Sequence, residues 1–226
     1  MKLLVLGRGK TGALVAEVAK QRAHELRSLA SQENQDARGL TPDLLKAIDA
    51  VIDFTTPHAV IPNIIRCAEA GVPIVVGTTG WYQHLEKVRE LVKERKTGFL
   101  YASNFSVGVN LFFNAIRAVA PAMARGYRAN IVEKHHAQKK DKPSGTAVTI
   151  QKILEHGTDQ KIEITSLREG DTVGMHLVAL DSPNDTILLT HDAKSRLGFA
   201  EGAVRAAEWI KGRTGFYEFR DVIDQL

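Results

Sequence analysis

The chain has 226 residues, of which 44% are hydrophobic and 25% are charged, and its formal net charge is +4. These values are ordinary for a soluble globular protein of one large domain or two small ones. Cys67 is the only cysteine, which excludes an internal disulfide and fits a reducing compartment. The apolar run at residues 3–6 is too short for a signal peptide or a membrane span, so we expect a cytoplasmic protein with no membrane partner.

The first hundred residues alternate short apolar runs with amphipathic segments. Threonine–proline pairs at Thr41 and Thr56 are typical helix starts, and Pro62 predicts a bend or a late start of the second of these helices. The pattern predicts five strands, at residues 3–6, 24–30, 50–54, 72–76 and 99–101, and helices at 11–21, from 41, from 56 to 71, and up to about 96. Strands that alternate with helices favour a parallel sheet covered on both faces.

The alternation of single strands with single helices ends after Asn104. A long helix is predicted at residues 110–125, a helix capped by Ser144 at 145–156 and a last one at 195–211, with extended segments at 128–135, 162–168, 173–180 and 186–190. We expect an α/β protein: a Rossmann-like parallel sheet and a second, smaller α+β domain with a mixed or antiparallel sheet. The predicted dinucleotide-binding domain is 1–105, joined by the C-terminal helix 195–226; the substrate-binding and oligomerisation domain is 106–194, with a hinge at 103–108.

A glycine-rich loop, Gly7-Arg8-Gly9-Lys10-Thr11-Gly12, separates the first strand from the first helix. In G-x-G-x-x-G loops the first glycine permits a tight turn, the second lets a pyrophosphate approach, and the third lets helix and strand pack closely. The free N–H groups of the helix N-terminus then face the phosphates. A glycine turn without a ligand is the alternative, but the position between strand and helix favours a dinucleotide.

The carboxylate expected after the second strand, for the ribose 2′-hydroxyl, is missing until Glu33. Ser31 and Gln32 could bind a hydroxyl or a phosphate, and Arg8 and Lys10 offer charge, so NADH and NADPH both stay open. The loops after the fourth and fifth strands could line the nicotinamide and ribose; ordinary loop capping explains each of their residues equally well. These loops are Gly77-Thr78-Thr79-Gly80 and Ala102-Ser103-Asn104-Phe105.

The segment 133–147, EKHHAQKKDKPSGTA, concentrates two histidines and four lysines. Other basic residues are spread out, so a small anion or a phosphorylated cofactor explains the charge more simply than nucleic acid. His135 ends a strand, and the N–H groups behind Ser144 could receive a carboxylate beside a cationic lysine. Adjacent histidines and a lone cysteine do not match a zinc site, so no metal is expected. Ser144 lacks the G-x-S-x-G elbow of a hydrolase.

This segment resembles the E-x-H-H-x-x-K-x-D-x-P-S-G-T-A signature of the dihydrodipicolinate reductase family. Further blocks of the family are similar in the same order: Asp53-Phe54-Thr55, Gly77-Thr78-Thr79-Gly80, Asn104-Phe105-Ser106-Val107-Gly108-Val109-Asn110, residues 190–196 and residues 199–203. The resemblance covers nearly the whole chain. The glycine loop is one residue shorter than the family's usual G-x-x-G-R-M-G, and Ser31 stands where an acid is usual.

The resemblance implies reduction of 4-hydroxy-tetrahydrodipicolinate to tetrahydrodipicolinate with NADH or NADPH, in lysine and diaminopimelate biosynthesis. It implies His135 as general acid/base, Lys139 as proton donor and His136 as a substrate ligand, with Ser144, Gly145 and Thr146 taking a substrate carboxylate. It also implies a homotetramer. Cofactor binding is expected at Gly7, Arg8, Gly9, Lys10, Thr11, Gly12, Ser31, Gly77, Thr78, Thr79, Ala102, Ser103, Asn104, Phe105 and Arg196.

Two other hypotheses remain for the sequence. One is a different Rossmann-type NAD(P)H reductase that acts on another small carboxylic acid. The other is a non-catalytic protein that binds a nucleotide or a nucleic acid, which only the basic balance suggests. An imidazole next to a lysine serves proton transfer, for which a mere binding protein has no need.

Overall fold

The computed structural model describes all 226 residues, which form two compact units: residues 1–107 with 197–226, and residues 108–196. The strands are β1 (Lys2–Leu6), β2 (Glu25–Leu29), β3 (Ala50–Asp53), β4 (Ile74–Val76), β5 (Gly98–Tyr101), β6 (Arg128–His135), β7 (Ile164–Arg168), β8 (Gly174–Asp181), β9 (Thr186–Ala193) and β10 (Gly215–Glu218). The helices are α1 (Lys10–Gln21), α2 (Pro42–Lys46), α3 (Pro57–Glu69), α4 (Leu85–Arg95), α5 (Val107–Val119), α6 (Gly145–Glu155), α7 (Leu197–Ile210) and α8 (Phe219–Val222).

The first unit is built on a six-stranded parallel sheet in the order β10-β5-β4-β3-β1-β2. The side chains of Leu3 to Leu6 are fully buried because β1 lies between β3 and β2 and both faces of the sheet are covered. One core lies under α1 and α7, and the other lies under α3 and α4. The predicted Rossmann-like parallel sheet is therefore confirmed.

The sixth strand was not predicted. After α7 ends, Gly215 to Glu218 pair in parallel with β5 at the sheet edge, where all four residues stay partly exposed. So short a segment has no burial pattern of its own, and only its long-range partner makes it a strand. Helix α7 packs closely on this unit because Gly202 has no side chain, since a Cβ there would collide with the carbonyl oxygen of Phe105.

Two predicted helices differ from the observed ones. Helix α3 runs from Pro57 through Pro62 to Glu69, so the late start was wrong. Helix α5 begins at Val107, inside the predicted hinge, and passes into a 3₁₀ helix at Ala120–Arg125. The combined segment Val107–Arg125 is long and apolar enough to cross a membrane by length and composition alone. Its buried apolar residues, Val109, Phe112, Phe113, Ile116 and Met123, belong to the core of the second unit, so one side of this segment packs in that core.

The second unit contains a four-stranded sheet in the order β7-β6-β8-β9. Strands β6 and β7 are parallel, whereas β8 is antiparallel to both β6 and β9. Helices α5 and α6 cover one face, where Ile131 and Val178 are buried. On the opposite face Leu188 is 63% exposed and Leu167 is 43% exposed. The mixed sheet agrees with the predicted α+β half.

Candidate active site

The three glycines of the first loop differ in what the fold requires of them. Gly7 has φ +95°, and a Cβ there would collide with the backbone of Phe54. A Cβ at Gly12 would collide with the carbonyl of Gly7. Gly9 has no atom within 4 Å of such a Cβ, so folding does not demand a glycine there. Open space therefore lies in front of Gly9 at the N-terminus of α1, where dinucleotide-binding loops receive a pyrophosphate.

Two clefts open where the parallel strands end. One is lined by Lys10, Thr11, Thr55, Thr78 and Thr79 together with Gly9, Gly12 and Gly77. The other is lined by Gly7, Ala30, Ser31, Asn34 and Thr55. The carboxyl ends of strands are where open α/β sheets bind ligands, so the predicted cofactor residues of these loops lie together at a suitable position.

A fully buried carboxylate organises this edge. Asp53 accepts hydrogen bonds from Thr55, Asn63 and Thr78, with Thr55 donating through both its backbone N–H and its hydroxyl. Burial raises the pKa of Asp53 while these donors oppose the rise. Asn63 also accepts from Asn34, so one buried network joins the loops that line both clefts. The sequence placed Asp53 in a predicted strand and in a family block, without a role of its own.

A carboxylate lies at the end of β2, close to where the sequence pattern led us to expect one. The carboxylate of Glu33 folds back to accept the backbone N–H of Ala30 at 2.6 Å and pairs with Arg8 at 3.1 Å. Arg8 also donates to the carbonyl and hydroxyl of Ser28. The turn of 3₁₀ helix at Ser31–Glu33 brings Glu33 back to the end of β2, so the expected acid is displaced by about one turn.

The loop after β5 divides into buried and exposed residues. Ala102 is 5% exposed and Phe105 is 2% exposed, and the Phe105 ring packs edge-on against Phe54 and Phe219. Ser103 is exposed, and Asn104 accepts the N–H of Ser106. The aromatic ring of Phe105 therefore serves the core, whereas Ser103 is better placed to meet a ligand.

In the second unit, an acid, an imidazole and a guanidinium meet at the end of β6. Glu133 is fully buried and hydrogen-bonds Nδ1 of His135, two residues further along the same face. Nη2 of Arg168 lies 2.8 Å from the carboxylate of Glu133 and donates to the carbonyl of Asp141 at 2.6 Å. Arg168 thus ties the histidine–lysine loop to β6. Its role escaped sequence inspection because the cross-strand register brings it there.

The surroundings of His135 fix which nitrogen is free. Because the carboxylate of Glu133 accepts from Nδ1, that nitrogen carries the proton, and Nε2 is left to exchange one. Burial lowers the pKa of His135, and the Glu133 carboxylate partly offsets this effect. Burial would raise the pKa of Glu133, but hydrogen bonds from Arg168, Ser166 and His135 hold it below its usual value. The ring needs the space above Gly174, where a Cβ would lie 2.9 Å from Nε2.

The remaining loop side chains lie closer to solvent. Nζ of Lys139 pairs with the carboxylate of Asp141 at 2.8 Å. His136 lies 3.5 Å from the guanidinium of Arg196, through its Nε2. The family resemblance suggested Arg196 as a cofactor ligand; in the structure its guanidinium lies next to a predicted substrate ligand, His136.

The predicted N-cap of α6 is confirmed. The hydroxyl of Ser144 accepts the N–H of Ala147 at 3.2 Å. Gly145 is exposed, and no atom lies within 4 Å of a Cβ built there, so the chain is accessible at the start of α6. Thr146 follows in the first turn. His176, which the sequence did not single out, is 3% exposed and places Nε2 3.1 Å from the hydroxyl of Ser144.

Glu133, His135 and His176 are also close enough to share a metal ion by geometry. Their hydrogen bonds point to a different use. Glu133 is engaged by His135 and by the cationic Arg168, and His176 is engaged by Ser144. A guanidinium at 2.8 Å already supplies the positive charge that a metal would bring to this carboxylate. The arrangement suits an oriented imidazole that transfers protons.

Comparison with known proteins identifies the family of the chain. A family model described as "Dihydrodipicolinate reductase, N-terminus" matches residues 1–105, and one described as "Dihydrodipicolinate reductase, C-terminus" matches residues 108–223. The chain belongs to the dihydrodipicolinate reductase family. Both halves of the chain are matched in the expected order, so the resemblance inferred from the sequence is confirmed.

Individual members of the dihydrodipicolinate reductase family are similar along most of the chain. A 4-hydroxy-tetrahydrodipicolinate reductase of Christiangramia forsetii is 40% identical, covering 100% of this chain and 99% of its own. One of Neisseria meningitidis is 37% identical, covering 80% of this chain and 74% of its own. A dipicolinate-bound dihydrodipicolinate reductase from Paenisporosarcina sp. TG-14 superimposes with a TM-score of 0.82 over 98% of this chain and 99% of its own. At 21% identity, this last match shows the fold.

Proposed function

We propose that this protein reduces 4-hydroxy-tetrahydrodipicolinate to tetrahydrodipicolinate with NADH or NADPH, in lysine and diaminopimelate biosynthesis. The observation that carries the proposal is the oriented pair Glu133–His135 beside the Ser144-capped N-terminus of α6. The imidazole can exchange a proton, and the helix N-terminus can hold a carboxylate. A small dicarboxylic acid that accepts a hydride and a proton needs both.

The reaction balances as one hydride and one proton added and one water lost. When bound, the dinucleotide supplies the hydride, and the protein supplies the rest. Ser144, Gly145 and Thr146 receive one carboxylate at the helix N-terminus, and His136 binds the substrate beside them. Lys139, released from Asp141, donates the one proton that the reaction consumes, which leaves with the hydroxyl group as water, and its charge stabilises developing negative charge. Nε2 of His135 acts as acid and base, taking a proton from the substrate as water is lost and returning it after hydride arrives, while Glu133 stabilises the imidazolium between the two transfers.

The cofactor fits the first unit on physical grounds. Gly9 is a glycine that folding does not require, and α1 points its N-terminus at the space in front of it. The ribose end offers both an acid, Glu33, and a cation, Arg8, which pair with each other. A 2′-hydroxyl could bind the former and a 2′-phosphate the latter. Measuring the Michaelis constants for NADH and NADPH decides which cofactor is used.

We also propose a homotetramer assembled through the uncovered face of the second unit's sheet. Leu188 and Leu167 are large apolar side chains on that face, and both are well exposed in the single chain. Light scattering after gel filtration should give a mass about four times that of the 24.8 kDa chain. Leu188→Arg should lower that mass, whereas Leu111→Arg, at a 48% exposed position of α5, should not. Such an enzyme of amino-acid biosynthesis is expected in the cytoplasm.

Replacing His135 tests the assigned chemistry. His135→Gln removes the titrating group, and we expect kcat to fall at least about a hundredfold with unchanged cofactor affinity. The steady-state rate of NAD(P)H oxidation and fluorescence titration of cofactor measure the two quantities. A variant that turns over at the wild-type rate would contradict the role. A wild-type enzyme that reduces another small acid but not this one would favour a different reductase.

A further inference from the structure

His176 has no part in the chemistry described so far, but its side chain lies between His135 and the hydroxyl of Ser144. The β6–β8 register places it directly opposite Glu133, on the same sheet face as His135. Its ring meets the ring of His135 edge-on at 5.2 Å between centroids, and its Nε2 reaches the hydroxyl of Ser144. Its other nitrogen, Nδ1, is buried without a partner.

The hydrogen-bonding capacity of the Ser144 hydroxyl determines whether Ser144 or His176 is the donor in this contact. A hydroxyl has one proton and two lone pairs, and one lone pair of Ser144 already accepts the N–H of Ala147. If His176 carried its proton on Nδ1, Ser144 would donate to Nε2, and a buried N–H would have no acceptor. If the proton is on Nε2, His176 donates to Ser144 and only a lone pair is left unsatisfied. Orphaned buried N–H groups are rarer than under-satisfied acceptors, so the second arrangement is favoured.

The second arrangement leaves the proton of Ser144 free. With both lone pairs of its oxygen occupied, the hydroxyl can donate only away from Ala147 and His176. We propose that His176 is a positioning residue that directs the hydroxyl proton of Ser144 towards a carboxylate of the substrate. The inference rests on the proposed function and adds to it the residue that determines the direction in which the Ser144 hydroxyl donates its proton.

The charge state of His176 suits this task. Burial first, and then the nearby His135, lower its pKa to about 4. Glu133, His191 and Lys139 are the other titratable groups that act on it, and of these only Glu133 raises the pKa. A neutral His176 avoids placing a second cation beside His135 when that ring is protonated.

The ring nitrogens of His176 give a test that needs no turnover. Long-range ¹H–¹⁵N correlation spectra of the whole protein near neutral pH distinguish a pyrrole-type Nε2 from a pyrrole-type Nδ1. We expect His176 neutral with its proton on Nε2. A proton on Nδ1 would overturn the proposal whatever reaction the enzyme catalyses.

A matched pair of variants tests the consequence for binding. Glutamine and methionine have similar volumes, but only glutamine can donate a hydrogen bond from near the position of Nε2. His176→Met should raise the KM for the substrate, and the dissociation constant of the probe dipicolinate, about tenfold. His176→Gln should restore most of that affinity, and kcat should change less than KM in both. Equal KM values for the two variants would mean that the side chain only fills space.

A double-mutant cycle separates this proposal from the function on which it rests. In a Ser144→Ala background, His176→Met should raise KM little further, because the positioned hydroxyl is already gone. A full additional tenfold rise would show that His176 does not act through Ser144. A wild-type protein that neither reduces the substrate nor binds dipicolinate would refute the proposed function instead, while the ring spectra would still decide the state of His176.

Discussion

The buried carboxylate of Glu133 supports both the stability of the second unit and the proton chemistry. Glu133→Gln keeps the shape and one hydrogen-bond acceptor but removes the charge that faces Arg168, whose side chain is only 7% exposed. Removing one partner of a buried ion pair typically costs 3–5 kcal/mol. Because the amide oxygen still accepts a hydrogen bond, we expect the lower end, about 3 kcal/mol less free energy of unfolding. We also expect kcat to fall about a hundredfold, since the imidazolium of His135 loses its counter-charge.

The control is Glu169→Gln, the same chemical change at a 72% exposed carboxylate paired with Lys134 in the same unit. An exposed pair contributes little to stability because solvent screens it, so this variant should be close to wild type in stability and in kcat. Urea unfolding and steady-state kinetics measure the two effects. Removing Glu133 also removes the influence that raises the pKa of His135. The decrease in kcat that accompanies deprotonation of His135 should therefore occur at lower pH than in wild type. If the two variants behaved alike in both assays, the reasoning about a buried, catalytically coupled carboxylate would be refuted.

Three further predictions concern other parts of the molecule. Lys139→Ala should lower kcat about a hundredfold while Lys140→Ala, which removes an exposed lysine next to it, should not; similar rates would contradict the assignment. Gly9→Ala should fold normally but weaken cofactor binding in a fluorescence titration, whereas Gly12→Ala should destabilise the fold because its Cβ meets backbone. The folded-state pKa of His176 is about 4, below its ordinary 6.5, so only the unfolded state takes up this proton between those values and stability falls with falling pH. In unfolding experiments at several pH values, His176→Gln should lose about 3 kcal/mol less free energy of unfolding than wild type as the pH falls through this range. An unchanged dependence of the free energy of unfolding on pH would show that His176 does not cause the loss.

Local patterns in the sequence predicted much of this structure. Strand β6 has the predicted bounds, and Ser144 caps α6 as expected, because both features depend on neighbouring residues. The three roles within the glycine loop also follow from spacing alone, and the space around Gly7, Gly9 and Gly12 agrees with them. At Ser144, Gly7 and Gly12 local chemistry and the fold impose the same requirement, whereas at Gly9 the fold imposes none.

The rest depends on contacts between distant segments. His176 and Arg168 join Glu133 only through the register of β8 and β7 with β6, which no short motif specifies. Strand β10 exists because β5 provides its partner. Glu33 reaches the end of β2 because a turn of 3₁₀ helix folds it back. The support around the candidate site was therefore hidden from the sequence, whereas the residues proposed to touch substrate and cofactor were visible.

The most direct test of the account is the consumption of NADH or NADPH by the purified protein with 4-hydroxy-tetrahydrodipicolinate, with the product identified by mass spectrometry. The account predicts tetrahydrodipicolinate formed in equal amount to the cofactor oxidised, in wild type but not in His135→Gln. Folded wild-type protein that oxidises neither cofactor with this substrate, or a His135→Gln variant as active as wild type, would contradict it.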